Sequence, residues 1–283
     1  MNRAERRRQG KASAKQPSAL QHAPLPFDIA AIKSQLQQAV TPEAVRRLIA
    51  DLVAQGIPAA AGEELTAYAA QYHETRVALD TGENAPQQVA ALVTDAHAWA
   101  DAMIDRSPQR DRRACHAGCA FCCYVPTVLA SAAEVVQLAA WLREHCQPDD
   151  LAAVRQRLAA RLAQKAATSS AAQEKGPLPC ALLHENRCLA YDVRPFKCRG
   201  WTSLRREVCE QSYGHGQSSE SIPADAYAFV MGNAVLNGFS DGVKQAGLDG
   251  GSYDLSAALM RVLDLPDAVQ RWRAGERLFD VGR

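Results

Sequence analysis

The chemistry of this chain is concentrated in its cysteines. Nine occur in 283 residues, none before Cys115 and none after Cys209. The first group reads Cys115-His-Ala-Gly-Cys119-Ala-Phe-Cys122-Cys123, and the second is Cys180, Cys188 and Cys198, with Cys209 further on. A soft metal wants several thiolates converging from a tight turn, and close cysteine spacing around Gly118 supplies that geometry. A glycine there also lets backbone amides turn towards sulfur, which tunes a cluster. Buried free cysteines also pack as small hydrophobes. That reading suits Cys146, alone at the end of a helical pattern, and not the other eight. Cys115, Cys119, Cys122, Cys123, Cys180, Cys188, Cys198 and Cys209 are therefore the candidate metal ligands, Cys209 being the weakest of them. Adjacent Cys122 and Cys123 do not readily serve one small ion, so either two sites exist or one of the pair lies behind the ligands.

Iron–sulfur and zinc both remain open. Zinc sites usually present paired Cys-x2-Cys knuckles or a Cys/His mixture. The distal cysteines here are separated by seven and nine residues, which suits a [4Fe-4S] cluster at least as well. Arg194 and Arg199 are the candidate cofactor-side residues, offsetting thiolate charge or holding a carboxylate or phosphate, with ordinary salt bridges as the alternative. Tyr191 and Trp201 are expected to pack over the thiols. His116 and His184 are read as turn residues or as a layer behind the ligands.

The elements that must position these residues read as helices. Ile29, Ile32 and Leu36 share a face, and Thr41-Pro42-Glu43 is a helix start. Val45, Leu48, Ile49 and Leu52 then repeat at helical spacing. Further helices are expected over about 63–79 and 86–104. Ser131-Ala-Ala-Glu134 is a capping box opening a helix to about 145, and another runs over about 148–167, with Leu151, Val154, Leu158 and Leu162 on one face. Thr168–Pro179 is a loop. The apolar runs after Cys180 and Cys188 flank His184-Glu-Asn-Arg187, which predicts a short β-hairpin. Thr202-Ser203 is expected to cap a helix reaching Cys209, and helices are expected at about 223–238, 254–263 and 266–278. The fold class is mainly α: a helical protein with a cysteine-rich metal-binding core and one small hairpin. Its organisation is a disordered basic tail (1–24), an N-terminal helical segment (25–105) and a cysteine-cluster domain (110–283).

The spacing Cys-x3-Cys-x2-Cys at 115, 119 and 122 matches the cluster motif of radical S-adenosylmethionine enzymes, but those need strands alternating with helices around the motif, and here helices surround it. A different resemblance covers more. The first block, followed by Cys180-x7-Cys188-Leu-Ala-Tyr191-Asp-Val-Arg194-Pro195-x2-Cys198-Arg199, resembles the YkgJ-type cysteine-cluster family over about residues 115–210. The resemblance implies a zinc- or iron-chelating domain with flagellin lysine N-methylases among its distant relatives. This chain has three residues between its first two cysteines where the family motif has two.

The net charge of +1 excludes a global field for nucleic acid. Arg3, Arg6, Arg7, Arg8, Lys11 and Lys15 form a basic run without interleaved aromatics, which reads as a solvated tail. Gln9–Leu25 has no apolar core of a signal peptide, and no long uncharged apolar run follows, so a cytoplasmic protein without membrane contact is expected. Three functions follow from these residues: a metal-binding protein with a structural, redox or metal-handling centre; a cluster-dependent, methyltransferase-like enzyme acting on protein lysine; or a zinc-stabilised nucleic-acid interaction module. A protein partner or substrate fits the first two.

Overall fold

The structure, a computed structural model, describes residues 27–80, 86–116, 118–125, 127–167, 179–214 and 222–279. The basic tail and nearly all of the loop expected at 168–179 lie outside the described residues.

The fold is mainly helical. Asp28 caps α1 (Ile29–Gln38), its Oδ1 accepting from Ala30 N and Ala31 N. Thr41 caps α2 (Pro42–Ala54) through Ala44 N, with Pro42 at the first helical position. α3 (Ala59–Asp80) and α4 (Pro86–Ile104) complete the N-terminal segment. The capping box opens α5 (Ala132–His145) as expected, and α6 (Pro148–Ala167) follows. After the cysteine-rich stretch come α9 (Ala226–Gln245), α10 (Leu255–Leu263) and α11 (Ala268–Arg273).

Two small antiparallel pairs complete the architecture. The expected hairpin is present: β2 (Leu183–His184) pairs with β3 (Arg187–Cys188), and Glu185 and Asn186 between them have φ of 47° and 60°. Both turn residues are thus left-handed, the condition of a tight hairpin turn. The other pair was not legible. β1 (Leu129–Ser131) pairs with β4 (Ser252–Asp254) across more than a hundred residues, and it ends at the Ser131 cap of α5.

One apolar core serves both halves of the chain, running from Ile32 and Leu36 through Val93, Leu138 and Phe239 to Trp272. Its main seam is α3 against α9. Gly238 and Gly242, one turn apart on α9, let the backbones meet. A Cβ at Gly238 would lie 2.3 Å from Tyr68 O, and one at Gly242 would lie 2.8 Å from Tyr72 O. The N-terminal helices are thus built into the body that carries the cysteines.

Candidate metal centre

The first thiol segment is tied down at both ends. Arg113 Nε reaches the buried Asp225 (2.9 Å), which also accepts from Ser107 Oγ and caps α9. Ala114 N donates to Ser203 O, and Ser203 N donates to Cys115 Sγ at 3.3 Å. The chain then turns at Gly118, whose φ of +87° is the left-handed state that only glycine takes cheaply. Cys119 N closes this turn on His116 O. A 3-10 turn over Phe121–Tyr124 follows and presents Cys122 and Cys123.

The second segment is sewn onto the first. Cys180 N donates to Cys123 O at 2.6 Å. Arg161, buried on α6, donates to Val125 O and to Pro179 O, bridging the end of one cysteine segment and the start of the other. Arg157, one turn earlier, donates to Ala181 O at 2.7 Å. The buried edge of α6 therefore ends in Arg161, not in the expected Leu162, because the loop carbonyls need donors there. The hairpin then delivers Cys188, and α7 (Phe196–Gly200) delivers Cys198.

α7 is a short helix that the sequence did not announce, and the core holds it from several sides. Phe196 is fully buried, edge-on to His97 at 4.6 Å and near Phe239. Gly200 on α7 lies against Gly232 on α9, where a Cβ at Gly232 would come within 3.3 Å of Gly200 Cα, a tight contact. Phe196 N donates to Glu134 Oε1 at 2.7 Å. That buried carboxylate also takes His97 Nε2 (3.1 Å), Ser131 N and Ser131 Oγ (both 2.8 Å). Burial alone would raise the Glu134 pKa, but the His97 contact and these donors bring it below the ordinary value.

Cys209 ends α8 (Arg206–Cys209) and is buried. This helix starts later than expected. Thr202 and Ser203 do not cap it; Ser203 instead pairs with Ala224 and anchors Cys115. Cys209 also shares a hydrogen bond with Ser203.

Eight of the nine cysteines thus gather in one region, all as free thiols. They feel one another. Cys115, Cys123, Cys180, Cys188, Cys198 and Cys209 are all raised, with the charge of Cys122 among the causes each time. For Cys188, pushed up to about 11, burial is the main cause. Cys122 is the exception. A hydrogen bond from Cys123, with help from the Arg194 charge, outweighs burial and pulls it down to about 7. Cys146 lies elsewhere, at the end of α5 against the core, as its isolation in sequence implies.

The two arginines separate. Arg199 is buried and engaged by Asp101 and by the carbonyls of Arg194 and Asp192, the ordinary ion-pair role. It fixes the loop before α7 in place. Arg194 lies over the Tyr191 ring at 3.8 Å. Its charge lowers both Cys122 and Cys188, and its buried Nε finds no acceptor among the described residues. Tyr191 is 55% exposed and forms a shelf for Arg194. Trp201 packs edge-on against Phe229. His184 is exposed beside Glu185, at the end of β2 just before the hairpin turn.

Sequence reasoning missed the supports: His97 and Asp101 on α4, Glu134 beyond its capping role, Arg157 and Arg161 on α6, Phe196 and Ser203. The i,i+4 spacing of His97/Asp101 and of Arg157/Arg161 was the available signal, since such pairs share a helix face.

The donor set fits a thiophilic metal: free, partly shielded thiols with a guanidinium to offset thiolate charge. As they stand, no three His, Cys, Asp or Glu side chains among the described residues converge on a single metal position. No family model, no curated protein and no solved structure matches the chain.

Proposed function

We propose that this chain is a metal-binding protein whose clustered cysteines hold an iron–sulfur cluster or zinc. The observation that carries this reading is Arg194, whose buried Nε lacks an acceptor and whose positive charge faces Cys122 and Cys188. The guanidinium is half-buried and stacked on Tyr191, but its buried Nε–H is left without an acceptor, and an anionic thiolate centre would supply one. The resemblance of residues 115–210 to a metal-chelating family points the same way.

The residues divide the work. The thiols of the 115–123 and 180–209 segments are the ligands. Arg157 and Arg161 hold the two segments side by side through backbone carbonyls, and Glu134 and Arg199 hold the loop and helix that bear Cys198. Because the thiols are gathered without yet converging, metal uptake is coupled to closing these segments on one another. The centre then has a structural, redox or metal-handling role.

The test is metal and sulfide analysis with an absorption spectrum of the full chain purified without oxygen. Iron with matching sulfide and a broad brown visible absorption supports the cluster form, and a colourless chain with stoichiometric zinc supports the zinc form. A chain that carries neither metal, and takes up neither when offered zinc or iron with sulfide, refutes the proposal.

A further inference from the structure

The guanidinium of Arg194 has two edges, and the metal-binding reading uses one of them. Its Nε is buried without an acceptor, while the residue as a whole is only half-buried. The two terminal nitrogens are not closed off with Nε, and no hydrogen bond or ion pair among the described residues engages them. The contact that holds the group is the Tyr191 ring at 3.8 Å.

Arg194 differs in this from the other arginines set around the cysteine segments. Arg113 is held by Asp225 and Asp105, Arg157 by Ala181 O, Arg161 by Val125 O and Pro179 O, and Arg199 by Asp101. Even Asp192, exposed and two residues before Arg194, makes no ion pair with it.

The open edge is nevertheless positioned. Arg194 N donates to Tyr191 O at 3.4 Å, closing the turn that carries both side chains. Arg194 O accepts from Nε of the buried Arg199, which Asp101 anchors in turn. Tyr191, 55% exposed, then gives the guanidinium a face to lie on. An arginine loses rotamer freedom when it grips a ligand, and stacking removes part of that cost beforehand. The turn lies three residues after Cys188 and four before Cys198, so one loop carries the fork and two candidate ligands.

We infer that the Tyr191–Arg194 shelf is a subsite for an oxyanion from outside the chain, a carboxylate or phosphate taken by the terminal nitrogens of Arg194 in two parallel hydrogen bonds. The inference rests on the metal-binding reading only for what the anion is brought to. Binding itself needs no metal, because the fork and its ring stand ready without one.

The experiment maps arginine modification by phenylglyoxal in the full chain without oxygen, residue by residue, by mass spectrometry. It is run at fixed ionic strength with sodium chloride, inorganic phosphate or acetate. Metal-free chain and chain offered zinc or iron with sulfide are compared, with metal content measured alongside. Arg194 should react, and phosphate, acetate or both should slow it roughly fivefold or more relative to chloride, with the exposed Arg205 unaffected. Which anion protects tells a phosphate ligand from a carboxylate one. Tyr191→Leu should remove most of the protection. Arg194 slowed no more than Arg205 by either anion overturns the inference, and protection that survives Tyr191→Leu intact overturns the part given to the ring. Metal uptake without protection removes the subsite and leaves the metal-binding reading standing; protection without metal uptake does the reverse.

Discussion

His97 Nε2 on α4 lies 3.1 Å from Glu134 Oε1 at the first turn of α5, and the same oxygen accepts from Phe196 N, two residues before Cys198. One buried carboxylate therefore links a helix of the N-terminal half, the start of α5 and the helix that presents a candidate ligand. Truncating it as Glu134→Ala leaves His97, Ser131 and Phe196 donors buried without a partner. A loss of about 3–5 kcal/mol is expected, read from urea unfolding of the metal-free chain. A loss below about 1 kcal/mol would show that water replaces the carboxylate, and that the network is not a determinant of the fold.

The same carboxylate makes stability depend on acid. Glu134 and Asp225 both have pKa values below their ordinary 4.5 and 3.8, burial being outweighed by His97 and other donors for Glu134, and by Ala228 N, Ser107 and Arg113 for Asp225. A group depressed on folding stabilises the native state above its unfolded pKa and loses that contribution as pH falls through the folded value. Unfolding free energy of the metal-free chain should therefore be steady above about pH 5 and fall below it. Glu134→Gln should start lower at neutral pH and show a shallower acid slope; an unchanged slope would mean that other carboxylates carry it.

Arg194 offers a test that needs no metal. The hydrogen bond from Cys123, helped by the Arg194 charge, pulls Cys122 below the ordinary 9.0 and enriches its thiolate near neutrality. In the metal-free chain it should be the first cysteine alkylated by iodoacetamide at pH 7, as mapped by mass spectrometry. Arg194→Ala removes one of the charges that favour the thiolate and should slow that reaction roughly threefold, whereas Arg194→Lys should slow it less. Equal rates in all three proteins would deny Arg194 its role.

The seam between α3 and α9 tolerates no side chain at Gly238, where a Cβ would meet Tyr68 O at 2.3 Å. Gly238→Ala should destabilise by about 1–3 kcal/mol through forced separation of the helices, measured as a drop in the urea midpoint. Metal content per folded chain should not change, because a Cβ at Gly238 would meet Tyr68, Gln71 and Tyr72 and no thiol.

Stripping metal should loosen the cysteine segments and spare the core. Hydrogen exchange should speed up over 113–125 and 180–210 after chelation, while α3 and α9 remain protected, since Tyr68, Phe239 and Trp272 are buried without help from any thiol. Collapse of the helical signal on chelation would instead make the metal a condition of folding.

Much of this was legible because its causes are local. Thr41-Pro42 and Ser131 through Glu134 announce helix starts through hydrogen bonds closed within three residues, and α2 and α5 begin where those signals stand. The polar turn at His184–Arg187 and the Gly118 curl were equally readable, since backbone conformation there depends on a few adjacent residues. The mainly helical class and the identity of the clustered thiols follow from periodicity and spacing alone. What only the tertiary structure decided rests on partners distant in sequence. β1 needs β4, Ser203 serves Cys115 rather than a helix end, Arg161 replaces Leu162 at the buried edge of α6, and Glu134 reaches beyond its own cap to Phe196. The grouping of the thiols belongs to the same class. A cysteine's chemistry is written in its residue type, but which sulfurs it meets is set by how helices far along the chain close on one another.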